Sequence, residues 1–356
     1  MARIRVIETA DAAGLAGHDA IIDVRSPAEF ALDHVPGAIN LPVLSNAERA
    51  RIGTIYVQES RLKANRLGAA LVARNIATHL ETALADQPAT FSPLIYCWRG
   101  GQRSESMATI LSRIGWRTSI LAGGYRTYRR EVQARLYDQP CDLNIVLLDG
   151  NTGSAKTAIL HRLAGLGVQT LDLEGLARHR GSLFGGFADR PQPAQKQFET
   201  DLLCALDRLD PSRPVVVEAE SSKIGERMIP PGLWQAMARA PRIELSVPRA
   251  VRAAYLVSAY SDIIARPEGL EAIFKRLPVY PAQSRRQDWM GLAEAGDYTA
   301  LAEALIELHY DPAYARGRKK DDRPTHLVVN LPALDAPSQD AAAHQIAARV
   351  QLLPRA

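Results

Sequence analysis

The chain carries 356 residues, 47% hydrophobic and 23% charged, a composition that supports a real core and a length that calls for two domains. Its 43 basic against 39 acidic residues leave a net charge of +4, too small for charge alone to identify a nucleic-acid partner. Three cysteines, a start that runs directly into a strand-like pattern and the lack of any apolar run of membrane length argue against a disulfide framework, a signal peptide and a spanning helix, so the cytoplasm is the expected location.

Ala20 to Val24 predicts a short buried strand, and Arg25 to Phe30 a helix with Ser26 as cap and Pro27 at its first position. His34 to Asn40 reads as a turn and a second strand. From Asn46 to Leu84 the pattern is helical, with Leu67, Ala70, Leu71, Arg74, Ile76 and Leu80 on one face or its edges. Leu94 to Tyr96 is a buried strand, and Cys97 stands where it stops. Ser104 is the expected cap of the next helix, because Ser106, Met107, Ile110 and Leu111 recur at helical spacing. Between strand and helix lies a loop opened by a thiol, loosened by Gly100 and Gly101 and flanked by Arg99 and Arg103. Inward backbone N–H groups, a helix N-terminus and two guanidinium groups would favour a thiolate there, presented as a nucleophile or a sulfur carrier. Cys141 and Cys204 lack that setting and read as structural. Thr118 to Leu121 is the next strand, ending at Gly123 and Gly124. The strand–helix–strand rhythm predicts an α/β unit with a mainly parallel sheet.

The proline-bearing polar stretch Asp138 to Asp142 divides the chain into residues 1–138 and 139–356. Beyond it, the strand Leu143 to Leu148 runs into Asp149 and the loop Gly150, Asn151, Thr152, Gly153, Ser154, Ala155, Lys156 and Thr157, followed by the helix face of Ile159, Leu160, Leu163 and Leu166. Strand, glycine-bearing loop, Lys-Thr and helix form the phosphate-cradling P-loop arrangement. Loop amides would bind a di- or triphosphate, Lys156 would neutralise it, and the Thr157 hydroxyl would help hold Mg²⁺. Ala155 occupies the usual glycine position, where its Cβ is tolerable only at negative φ.

Val168 to Glu174 reads as a second strand, ending in Asp172 and Glu174. The following segment sets Arg178, His179 and Arg180 beside Gly181, Ser182 and Phe184, a mix suited to an anion-binding loop, with His179 as a candidate. Pro214 to Glu218 is a third strand, and Glu218 or Glu220 stands where a P-loop protein places a metal-directed carboxylate. Ser221, Ser222 and Lys223 follow at the same sheet edge. From Pro248 the chain is mostly helical. Leu256, Ile263 and Ile264, then Leu270, Ile273, Phe274 and Leu277, then Leu292, Leu301, Leu305 and Leu308 mark faces expected to be core, leading to His309-Tyr-Asp-Pro312. A short strand Leu327 to Asn330 and a helix Ala341 to Leu353 end the chain. Two basic groups, Arg126/Arg129/Arg130 and the knot Arg316 to Lys320, are candidate phosphate contacts, with the Arg178–Arg180 loop as a third.

Several of these stretches together resemble known families. Asp23 to Phe30, Val35 to Asn40, Cys97 to Arg103 and Leu121 to Tyr125 resemble a rhodanese domain. That implies a catalytic set of Cys97, Arg99, Gly100, Gly101 and Arg103, with Cys97 carrying sulfur or selenium. The pairing of a rhodanese-like α/β domain with a P-loop NTPase-like α/β domain and a helical C-terminal part resembles the tRNA 2-selenouridine synthase family. The specific marks are Cys97–Ser104, Gly150–Thr157, Asp172–Gly186, Glu218–Gly225 and His309–Pro312. The resemblance implies a two-step exchange on 2-thiouridine at the tRNA wobble position: alkylation of sulfur by geranyl diphosphate, then displacement of the geranylthio group by selenium from selenophosphate. It implies substrate contacts from Asp172, Glu174, Arg178, His179, Arg180, Gly181, Ser182, Phe184, Ser221 and Lys223, and Mg²⁺ on Thr157 and Glu218. No membrane partner is implied, and a monomer is expected. A plain sulfurtransferase with a regulatory nucleotide-binding domain, and a P-loop kinase or ATPase with an accessory rhodanese module, are the alternatives.

Overall fold

The computed structural model of the chain describes residues 3–182, 184–187, 189–265, 270, 274, 283–318 and 322–353. Of the expected features, Ile273, Leu277, Lys319 and Lys320 lie outside them. The chain divides into two compact units, Met1–Asp138 and Gln139–Ala356, each an α/β sheet.

The first unit holds strands β1 (Arg5–Ile7), β2 (Ala20–Asp23), β3 (Ile39–Asn40), β4 (Pro93–Tyr96) and β5 (Ser119–Leu121). They form one parallel sheet in the order β1-β5-β4-β2-β3. Every residue of the central strand β4 is buried, the continuous apolar run that a parallel strand covered on both faces requires. Ile22, Val24, Ile76, Ile95, Met107 and Leu111 belong to its core. The expected helix from Asn46 to Leu84 is two helices, Asn46–Gln58 and Arg61–Glu81. Ser60 causes the break, since its side chain caps the second helix by accepting from Lys63 N–H.

The second unit holds β6 (Ile145–Gly150), β7 (Gln169–Leu171), β8 (Val215–Glu218), the hairpin β9 (Lys223–Ile224) and β10 (Arg227–Met228), then β11 (Arg242–Ser246) and β12 (Thr325–Asn330). Its parallel sheet runs β12-β11-β6-β8-β7, with all six residues of β6 buried. Three strand or helix expectations change. β7 stops at Leu171, because Asp172 accepts from Gly175 N–H at 2.6 Å and starts the helix Leu173–Ala177. β11 was not anticipated. The last helix is Ala336–Gln351, begun by the Asp335 cap.

Among the described residues, the helices between β11 and β12 are Arg249–Ala259, Ser261–Ile264, Gln283–Glu294, Tyr298–Leu305 and Asp311–Arg318, with a π-helical turn Ile306–Tyr310 before the last. Leu270, Phe274, Trp289, Leu301 and Leu305 form a separate core among them. Ile263 is half-buried and packs against that core, whereas Leu256 and Ile264 are half-buried outside it and Leu308 is exposed. Among the described residues no helix is long and apolar enough to cross a membrane.

Candidate functional site

In an open parallel sheet, ligands bind beyond the carboxyl ends of the strands. Cys97 stands one residue past β4, and its thiol is closed off, at 3% exposure. This departs from the expectation of a presented thiol. Ser104 Oγ donates to Cys97 Sγ at 3.2 Å, and Gly101 N–H at 3.3 Å. Burial pushes the thiol's pKa up, but the Ser104 hydroxyl and the backbone N–H groups of Gly101, Ser104 and Arg99 outweigh it, and the net shift is downward.

The inward backbone N–H groups act as expected, whereas the two guanidinium groups are not among the causes. Arg103 donates to Glu29 Oε2 at 3.0 Å, Arg49 pairs with the same oxygen at 2.9 Å, and Arg99 is exposed. Ser104 also has a different role, because the helix starts at Gln102 with Gly101 as its cap. That places the Ser104 hydroxyl inside the first turn, facing the sulfur. Gly100, at φ +65°, lies so close to the neighbouring glycine turn that a Cβ would meet Gly123 N at 2.8 Å, and a Cβ on Gly124 would run into the Cys97 carbonyl. The adjoining cavity, about 500 Å³, is lined by Glu29, Arg49, Trp98 and Arg103.

Behind the loop lies a polar network that no local pattern announced. Arg25 is buried and holds both Asp23 oxygens, at 2.6 and 3.0 Å, while donating to the Asp33 carbonyl at 2.7 Å. Its guanidinium sits 4.0 Å from the Tyr125 ring centroid, and Tyr125 OH donates to Asp33 Oδ2 at 2.6 Å. Arg129 pairs with that same oxygen at 3.9 Å and is buried. Arg129 is thus no surface phosphate contact, whereas Arg126 and Arg130 are exposed.

In the second unit the P-loop joins β6 to the helix Lys156–Gly165. Ala155 caps that helix at φ +58°, overturning the negative φ required of it. An L-residue there costs about 1–2 kcal/mol, a strain held by a loop that still takes the glycine conformation. Lys156 Nζ donates to the Gly150 carbonyl at 2.9 Å. Burial lowers its pKa, but Tyr314, Glu220, Glu174 and Glu218 outweigh this and keep it charged. The Thr157 hydroxyl donates to Glu174 Oε2 at 2.9 Å, and Glu174 N–H donates to Glu218 Oε2 at 3.2 Å.

Glu218 is fully buried, and burial with Glu174 and Asp172 nearby pushes its pKa up. Burial, the Glu174 charge and a hydrogen bond with Glu174 likewise push Glu220 up to about 8, against the opposing pull of Lys156. Glu218 Oε1 and Ser154 Oγ are buried without hydrogen-bond partners. A cation would satisfy that orphaned carboxylate oxygen. Although no group of three or more His, Cys, Asp or Glu could hold a metal among the described residues, Mg²⁺ characteristically takes only one or two protein oxygens beside substrate phosphates. The donor set fits.

A cavity of about 890 Å³ opens here, lined by Thr152 to Thr157 and by Asp172, Glu174, Arg178, His179, Arg180, Gly181, Ser182, Glu220 and Ser221. These sequence candidates are therefore brought together. Gly181, at φ +67°, is confined by the Glu174 and Glu220 carboxylates, which a Cβ would strike. Arg180 lines the cavity, pairs with Asp262 through Nη2 at 2.8 Å and lies over the Phe187 and Tyr260 rings, while its Nη1 is buried without a hydrogen-bond partner. His179 is buried, and burial followed by the charge of Arg180 lowers its pKa. Phe184 and Ser182 line a second, smaller apolar cavity. Lys223 joins neither, because the chain turns at Ser221, whose hydroxyl accepts from Lys223 N–H at 3.2 Å and starts the β9–β10 hairpin.

A clamp unseen in the sequence ties the C-terminal helices to the P-loop. Arg252 donates to both Asp311 oxygens, at 2.9 and 2.8 Å, and to the Thr152 carbonyl at 3.2 Å. Asn151 Nδ2 donates to Asp311 Oδ1 at 2.8 Å. The His309–Pro312 stretch was the only signal for Asp311. Arg252 had none.

Comparison with known proteins follows the same division. Residues 8–131 match the rhodanese-like domain family, and residues 143–267 match the family described as tRNA 2-selenouridine synthase AAA domain. A tRNA 2-selenouridine synthase of Proteus mirabilis is 34% identical over 343 residues, 87% of this chain and 92% of the relative. One of Psychromonas ingrahamii is 32% identical over 335 residues, 85% of this chain and 89% of the relative. One of Nitrosomonas europaea is 34% identical over 253 residues, and there the alignment spans 70% of this chain and 65% of the relative.

Proposed function

Because the chain belongs to the tRNA 2-selenouridine synthase family, we propose that it converts 2-thiouridine at the tRNA wobble position into 2-selenouridine in two steps, one in each unit. In the first, the base's sulfur attacks the first carbon of geranyl diphosphate, the carbon–oxygen bond breaks, diphosphate leaves with the electron pair, and the base's N3 gives up its proton to water. In the second, selenium supplied as selenophosphate, with water taking up the phosphate, adds to the base's C2 carbon, and geranylthiol departs. Alkylation is what turns sulfur into a group able to leave.

The observation that carries this reading is Lys156, whose Nζ bonds the Gly150 carbonyl at 2.9 Å beside a cavity of about 890 Å³ on a strand–loop–helix cradle. A fixed cation at that helix N-terminus stabilises the negative charge that grows on a departing diphosphate. Glu218 and Thr157 would hold Mg²⁺, which when bound supplies further charge neutralisation to the diphosphate. The Cys97 loop, with its inward N–H groups and depressed thiol pKa, supports delivery of selenium by the first unit. Cytoplasmic tRNA is the intended partner, reached by the exposed Arg126, Arg130 and Arg178.

The test is mass spectrometry of nucleosides from 2-thiouridine tRNA after incubation with geranyl diphosphate, with and without selenophosphate. Geranylated nucleoside is expected from the first mixture and 2-selenouridine from the second. Cys97→Ala should keep the first product and lose the second; equal loss of both would sink the division of labour. Thiosulfate sulfurtransfer that needs Cys97, with no modified nucleoside, would replace the proposal by a plain sulfurtransferase.

A further inference from the structure

Beside the P-loop cavity lies a second one, of about 80 Å³, walled by Phe184, Ile263, Ile264, Leu301, Ala302 and Leu305 among other apolar side chains. The two cavities share Thr152, Ser182, Leu256, Tyr260 and Tyr310 at their boundary. We propose that this apolar cavity holds the far end of the donor's prenyl chain and limits the chain to about ten carbons. The inference rests on the reading that the donor's diphosphate occupies the P-loop.

Three observations carry it. The wall offers no charged group, so it suits a hydrocarbon and gives nothing to the polar edges of a nucleobase. The polar atoms on the boundary are already satisfied, since the Ser182 and Tyr260 hydroxyls bond to each other at 2.6 Å; that leaves the Tyr260 ring and Leu256 as the surface a chain crosses. Size then sets the length. A cavity needs about 10–15 Å³ to hold one water-sized group, so 80 Å³ takes roughly five to eight groups of that size. One isoprene unit of five carbons fits and two do not, so the first unit of a two-unit chain lies at the boundary and the second inside. Leu301 and Leu305, buried in the adjoining helical core, form a wall that cannot yield without leaving a cavity of its own.

The experiment offers the full-length protein an equimolar mixture of dimethylallyl, geranyl and farnesyl diphosphates with 2-thiouridine tRNA, and reads the product ratios by mass spectrometry. Leu301→Ala should raise the farnesyl-to-geranyl ratio about tenfold, and Ala302→Leu should lower the geranyl-to-dimethylallyl ratio about tenfold, as expected for a few methylenes in an apolar pocket. Each ratio is internal to one sample, so a loss of folded protein does not alter it. Prenyl transfer with both ratios unchanged would overturn the pocket and leave the diphosphate reading intact. A wild-type protein that transfers none of the three groups would overturn both.

Discussion

The two strand-end loops of this chain, at Cys97 and at Lys156, are built on opposite plans. The Cys97 loop is closed and its sulfur is already hydrogen-bonded: the sulfur accepts from Ser104 and Gly101, Arg103 is paired with Glu29, and the Asp23–Arg25–Asp33–Tyr125 network is buried behind it. The P-loop is open and under-satisfied, with Ser154 Oγ and Glu218 Oε1 unpartnered, two carboxylates held above their usual pKa and an alanine kept at positive φ. The first tunes one atom by hydrogen bonds that are already in place. The second stores unmet polar and electrostatic demand, which an arriving phosphate and cation would meet. Preorganisation suits a group that must keep one chemical state, and unmet demand suits a site that binds and releases a charged product.

Four perturbations would break or sharpen this contrast. The largest effect belongs to the closed site. Asp23→Ala leaves Arg25 buried without its carboxylate and should cost about 3–5 kcal/mol, read as a lowered denaturation midpoint of the first unit; an unchanged midpoint would mean that the network is not what holds the loop.

At the open site, Lys156→Ala should weaken diphosphate binding by about 10–100-fold, the worth of a charged hydrogen bond, measured by calorimetry, and equal affinity would remove the cradle assignment. The third effect depends on pH. Glu220 holds its proton to about pH 8 when folded, and the unfolded chain releases it near the usual 4.5. The folded state therefore binds more protons across that window, and stability is present below it and falls as pH rises through about 8. Glu220→Gln should flatten that fall in thermal melts between pH 5 and 8, and a slope equal to the wild type's would place the demand elsewhere. The smallest effect is Ala155→Gly, which relieves the left-handed strain and should stabilise by about 1 kcal/mol. A lower melting temperature would show instead that packing of the buried Ala155 methyl outweighs its strain.

Much of this was legible along the chain because its signals are contiguous. The run before Cys97, the glycines after it, the loop from Gly150 to Thr157 and the Ser26-Pro27 helix start are local patterns that make the same demand in any fold. β11 escaped because Arg242 and Glu244 interrupt its apolar residues, and a short alternating run between helices carries little weight. The fates of the arginines were illegible for a different reason. Arg126, Arg129 and Arg130 look alike in sequence, yet Arg129 alone meets Asp33 from 96 residues earlier, and only tertiary packing decides that.

By itself, then, the sequence determined that the chain has two α/β units, each with a glycine-bearing loop at the end of a central strand, because burial periodicity and loop chemistry act between near neighbours. Only the tertiary structure decided which carboxylates crowd Thr157, which hydroxyl tunes Cys97, and that Asp311 clamps a loop 160 residues away. Electrostatic and hydrogen-bond energies depend on distance in space, and the fold alone sets those distances.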